Sequence, residues 1–155
     1  MTIIIISQLA TSFIASAGFA ILFNAPKRAL WQCGTIGMLG WILYYVLFKN
    51  GLDTVAATVI AAILVGVLSQ ISAKTFKIPV IIFNVAGIIP LVPGGLAYNA
   101  MRQFVEDDYN LGIQLATKVM LLSGAIALGL VFSEVAKQIG DRYSKRNRAR
   151  RKRNK

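Results

Sequence analysis

Five stretches of about twenty residues, each long enough to cross a bilayer as a helix, follow one another along this chain. That pattern restricts the fold more than any other feature. Ile3–Phe23, Ala29–Phe48, Thr54–Ala73 and Ile78–Met101 carry no charged side chain, and Leu111–Ala136 carries only Lys118 and Glu134. The connections, 24–28, 49–53, 74–77 and 102–110, are short. The expectation is an all-α, polytopic integral membrane protein with five transmembrane helices, at about 3–23, 29–48, 54–73, 78–101 and 111–136, forming one domain over 1–136. A basic tail, 137–155, completes the chain. Composition agrees: mean hydropathy is +0.63 and 15% of residues are charged, against roughly 25% in a soluble domain. The first stretch lacks the basic lead of a signal peptide and is expected to remain as a span.

Charge sets an expected orientation. Ten of the 17 Lys and Arg lie between Lys137 and Lys155. With five spans, Lys27, Arg28, Lys74, Lys77 and the tail share one side, whereas Lys49 and Arg102 share the other with Asp53, Glu106, Asp107 and Asp108. Positive loops stay in the cytoplasm, so the N-terminus is expected outside and the C-terminus inside a cell membrane. Four spans with one re-entrant segment would scatter these charges.

Chemistry is sparse. The chain has no histidine and one cysteine, Cys33. It shows no nucleophile elbow, P-loop, zinc-protease or dinucleotide motif. No enzyme, cofactor or metal site is expected.

Helices in lipid meet through small residues and interhelical hydrogen bonds. Gly34, Gly37 and Gly40 should form one stripe on the second span. Ser12/Ser16, Ala62/Gly66, Ser69/Ala73 and Ala125/Gly129 repeat a four-residue spacing, and Gln8, Gln32, Gln70 and Gln114 are expected to bond between helices.

The fourth span departs from this plain packing. Pro90 and Pro93 each remove a backbone donor and clash one turn back, and Gly94 and Gly95 follow at once. The helix should break between Pro90 and Gly95 rather than bend. Broken backbone within a membrane must line protein or a wet cavity, and transporters aim such helix ends at substrates. The candidate substrate pathway is therefore Asn84, Pro90, Pro93, Gly94, Gly95, Tyr98 and Asn99. The competing reading is a proline kink with a short outer cap. Lys118, about two turns into the fifth span, either faces this pathway or snorkels to the surface. Glu134 and Lys137, three apart, should pair at the interface.

The run Ala86–Met101, AGIIPLVPGGLAYNAM, together with Gly18–Trp31, GFAILFNAPKRALW, resembles the threonine/serine exporter family, and more narrowly the small membrane subunit of its split form. The resemblance covers Gly18 to about Gly129, and Pro90, Pro93, Gly94, Gly95 and Tyr98 match its motif. It implies a secondary exporter of small polar metabolites, either threonine/serine-type amino acids or dicarboxylates such as succinate. It also implies a partner, a larger membrane subunit with a cytosolic domain plus about five spans. The tail after Lys137 lies outside the resemblance. Five helices offer few surfaces for alternating access, so a second half, partner or another copy, is expected. The alternative is a non-transporting scaffold whose polybasic tail binds anionic lipids or a partner; specific nucleic-acid binding is not expected.

Overall fold

The computed structural model describes residues 2–153, with side chains over 5–140 and at Arg142. Six helices run in chain order, α1 Thr2–Leu22, α2 Lys27–Lys49, α3 Thr54–Phe76, α4 Val80–Ile88, α5 Gly94–Val105 and α6 Tyr109–Arg153, with a 3-10 turn, Ile89–Leu91, between α4 and α5. No strand is present among the described residues. The helices stop where the sequence changes chemistry. Pro26 and Pro79 stand just before α2 and α4, where a missing N–H leaves nothing unpaired. Asp53 caps α3 by accepting from the Val55 N–H at 2.9 Å. Lys77 turns the chain out of α3 with φ of 55°.

Four helices are individually long and apolar enough to cross a membrane, and α4 with α5 makes a fifth, bent by 55°. Packing decides whether that pair crosses or turns back. Gly129 lies against Ala62, and Ser133 against Gly66, at the same sequence offset, so α6 runs parallel to α3. A chain that leaves the end of α3 and re-enters parallel to it has crossed the bundle once in between. The bent pair is therefore one span, and the fold is the expected five-span helical bundle.

At the centre, α2 contacts α1, α3 and α4, while α4 lies in the groove between α2 and α3. The buried core there includes Cys33, Ile36, Ala61, Val65, Phe83 and Ala86. The α3–α6 pair is the most extensive contact, and α5 packs on α6 instead of the centre. The helix of the fifth span is far longer than expected. Its apolar part, Tyr109–Gly140, would rise about 48 Å, and its backbone stays helical to Arg153. The expected tail therefore continues the last span as helix, while its side chains beyond Gly140, apart from Arg142, lie outside the described residues.

The glycine stripe on α2 is corrected. Gly34 and Gly37 face Phe13 and Ser16 of α1, but Gly40 faces Val65 of α3. Three-residue steps fall short of the 3.6-residue turn, so the third glycine lies about 120° around the helix from the first. The stripe serves two neighbours.

Candidate functional site

The break in the fourth span is built by its prolines. Pro90 sits within the 3-10 turn. Val92 is extended, with ψ of 126°, and Pro93, with ψ of 50°, stands before α5. Gly94 and Gly95 open the second half-helix, as expected, and nothing lies within 4 Å of a side chain added at either. The first N–H groups of a helix have no partner within it, and both glycines are exposed. One turn of backbone is partly repaired: the Gly94 N–H donates to Val92 O at 2.8 Å and the Ala97 N–H to Pro93 O at 3.0 Å.

Two cavities meet at the break. The larger, about 390 Å³, lies between α1 and the 3-10 turn, walled by Ser7, Gln8, Thr11, Ser12, Trp41 and Pro90. The smaller, about 260 Å³, fills the fork where α5 leaves α4, walled by Trp41, Tyr44, Thr58, Pro90, Pro93 and Leu122. Trp41 and Pro90 belong to both walls. The Trp41 indole N–H donates to Gln8 Oε1 across the α1–α2 interface, and its ring lies 5.3 Å from that of Tyr44. On α1, the Thr11 hydroxyl donates to Ser7 O at 2.8 Å and the Ser12 hydroxyl to Gln8 O at 2.8 Å. With their protons spent on the backbone, both hydroxyls offer the larger cavity acceptor lone pairs.

Among the expected pathway residues, Pro90, Pro93 and Gly95 line these cavities. Asn84 lies a turn and a half earlier in α4 and lines neither, but its Oδ1 is buried without a protein partner, as are Ser16 Oγ, Gln32 Oε1 and Ser69 Oγ. Such atoms mark places for ordered water or a binding group. Tyr98, 69% exposed, lies on the outward face of α5, and Asn99 beside it is exposed.

Lys118 is not gathered into the site. It is exposed on α6, and two registers fix its level. The offset that sets Gly129 against Ala62 carries Lys118 back to the loop just before α3. The antiparallel contact of Gly112 with Phe104 sets it level with Tyr98. Lys118 thus lies at the end of the bundle that carries the α2–α3 loop, where a charge reaches water.

The glutamines divide. Gln8 bonds to Trp41, and Gln70 donates to Ser133 Oγ at 3.4 Å and Glu134 Oε2 at 3.3 Å, both between helices as expected. Gln114 is exposed. The Glu134–Lys137 pair forms at 3.8 Å.

Sequence reasoning missed Trp41, Ser7 and Thr11. The signal for α1 was present in the polar quartet Ser7, Gln8, Thr11 and Ser12, one face of an otherwise apolar run. Nothing local marked Trp41.

No solved structure matches the chain. The family model described as Threonine/Serine exporter, ThrE, matches residues 8–136. That match begins within α1, runs through the later spans to residue 136 and leaves out the basic tail. A five-span membrane protein with a broken helix and cavities at the break, the chain belongs to the threonine/serine exporter family.

Proposed function

We propose that this chain is one membrane half of a secondary exporter of small polar metabolites, threonine/serine-type amino acids or dicarboxylates such as succinate, and that it works with a second half. Family membership supports exporter-type transport across a cell membrane. The observation that carries the reading is the fork at Pro90–Gly95, where a 55° break coincides with two adjoining cavities. A span that served only as scaffold would gain nothing from a break that opens cavities on the bundle side.

A second half follows from the outward face of α5. Gly94, Tyr98 and Asn99 are exposed, and at Gly95, which lines the smaller cavity, nothing lies within 4 Å of an added side chain; this supports a partner surface that completes the pathway on that side. The partner we infer is the larger membrane subunit, with a cytosolic domain plus about five spans. The charge distribution supports an N-terminus outside and a cytoplasmic C-terminus, and an odd number of spans is consistent with it.

The test is efflux of preloaded threonine, serine or succinate from cells expressing the chain with its partner. Changing Pro90, Pro93, Gly94 and Gly95 together to Ala restores helix propensity, about 3 kcal/mol per Pro and about 1 per Gly in water. The variant is expected to insert normally and to lose export. Near-parental efflux would reduce the break to a kink and remove the proposed pathway. A reporter fused after Lys155 that reads as extracytoplasmic would overturn the orientation.

A further inference from the structure

The end of the bundle that carries the α1–α2 and α3–α4 loops has an apolar groove of its own, away from the break. Its walls include Ala20, Phe23 and Ala25 on one side and Ile81, Ile82 and Val85 of α4 on the other, around a space of about 230 Å³. No polar side chain lines it, unlike the cavity walled by Ser7, Gln8, Thr11 and Ser12. Phe23 and Ile81, 60% and 63% exposed, form its rims, so the groove is open to the surroundings of the bundle. We propose that it holds an acyl chain of an anionic phospholipid, whose phosphate is bound at the mouth by Lys27, Arg28 and Lys77. The proposal rests on the chain's being a membrane protein and is independent of the exporter reading.

Walls and mouth together select this occupant. At membrane depth the surroundings of the bundle are acyl chains, and nothing polar in the wall rejects one. The mouth supplies charge. Lys27 and Arg28 follow Ala25 by two and three residues, and Lys77 precedes Ile81 by four. Helices α2 and α4 both start at this end, and Cys33 Sγ donates to Ile82 O at 3.9 Å, an offset that sets Arg28 about level with Lys77. All three cations are exposed, and none pairs with a described residue. Residues 1–52 and 54–105 include no Asp or Glu, and Glu134 is paired with Lys137 on α6. Neither α2 nor α4 has a side-chain cap at its start, so the partial positive charge of two helix ends adds to the attraction. Basic pockets between membrane helices take anionic headgroups in this way. In the proposed orientation this end meets the cytoplasmic leaflet, which carries the anionic lipids.

The test is lipid binding to the full chain in detergent, counted by native mass spectrometry during titration with dioleoyl phosphatidylglycerol or dioleoyl phosphatidylcholine. The first phosphatidylglycerol is expected to bind at least about tenfold more tightly than phosphatidylcholine. Changing Lys27, Arg28 and Lys77 together to Gln should remove that preference, at about fivefold per charge. Arg150→Gln, Arg151→Gln and Lys152→Gln remove the same charge from the tail and should leave the first site unchanged. Val85→Trp fills the groove at constant charge and should weaken both lipids. Thermal melting checks its fold, and Ala25→Leu, on the loop, repeats the filling should Val85→Trp melt early. Equal binding of the two lipids, or an equal loss in the tail variant, overturns the headgroup site. Parental affinity in the filled variants overturns the groove, and a change in their oligomeric state without loss of lipid gives it to a protein neighbour instead. Competition by glycerol phosphate, which lacks acyl chains, as strong as that by phosphatidylglycerol overturns a lipid as the occupant.

Discussion

The α3–α6 seam and the fork at Pro90–Gly95 lie in the same bundle and follow opposite rules. Along the seam, backbone meets backbone. A side chain at Gly129 would come within 2.8 Å of Val59 O and 3.2 Å of Ile63 N. Small residues allow that approach and Gln70 reinforces it with bonds to Ser133 and Glu134. At the fork, side chains at Gly94 or Gly95 would meet nothing within 4 Å, and space is left open. Glycine is thus used for contact in one place and for clearance in the other. The seam holds the bundle together, and the fork leaves one span free to accommodate something else.

The comparison can be broken most severely at the seam. Gly129→Leu must push α3 and α6 apart, and overpacking of this kind typically costs about 1–3 kcal/mol or more. The expected result is a sharp fall in detergent-extracted folded protein, followed by thermal melting. An unchanged melting temperature would show that the seam is looser than its geometry. Next in size, the quadruple change to Ala at the fork should abolish efflux and leave abundance intact, the reverse signature. Gln70→Leu removes one interhelical bond set, worth about 0.6–1.7 kcal/mol in membranes, and should lower thermal stability modestly without abolishing export. Gly95→Ala alone sharpens the contrast furthest: stability should stay within about 0.5 kcal/mol, and any loss of export then reports function directly. Smallest of all, removal of the last dozen residues should leave efflux near normal, because the family match ends at residue 136. Complete loss of export by a correctly inserted truncation would give the tail a role in transport.

Much of this was readable in the sequence because membranes impose simple rules. Long apolar runs marked the chain as a bundle of membrane helices, and the Pro90–Gly95 cluster marked the break between α4 and α5. Lys118 was left with two readings, pathway or surface, for a physical reason. Counting residues from the start of an apolar run assumes that every helix begins at the membrane border. Here α5 and the start of α6 extend past the level of the α2–α3 loop, and only the packing register reveals it. Trp41 was invisible because its direction depends on how α2 rotates against α1, which the Phe13–Gly34 and Ser16–Gly37 contacts determine. The Asn84 side chain shows the intermediate case. Its polarity stood out in the sequence, whereas its unpaired burial away from the cavities required coordinates.

The bent span also bears on how the chain is made. Val80–Leu91 is twelve residues long, about half of what a bilayer requires, so it cannot settle in lipid as an independent helix when it leaves the ribosome. Its continuation, Gly94–Val105, carries Arg102 and ends in the acidic 106–108 loop, which in the proposed orientation has to be carried across the membrane. The next segment to emerge is α6, the longest apolar helix of the chain and the one on which α5 packs. Synthesis therefore delivers a weak span directly before a strong one. The two are expected to enter the bilayer as a hairpin, with α4 reaching its groove between α2 and α3 only afterwards. Truncating synthesis before Leu111 should leave the fourth span poorly inserted, and extending it past Gly140 should restore insertion.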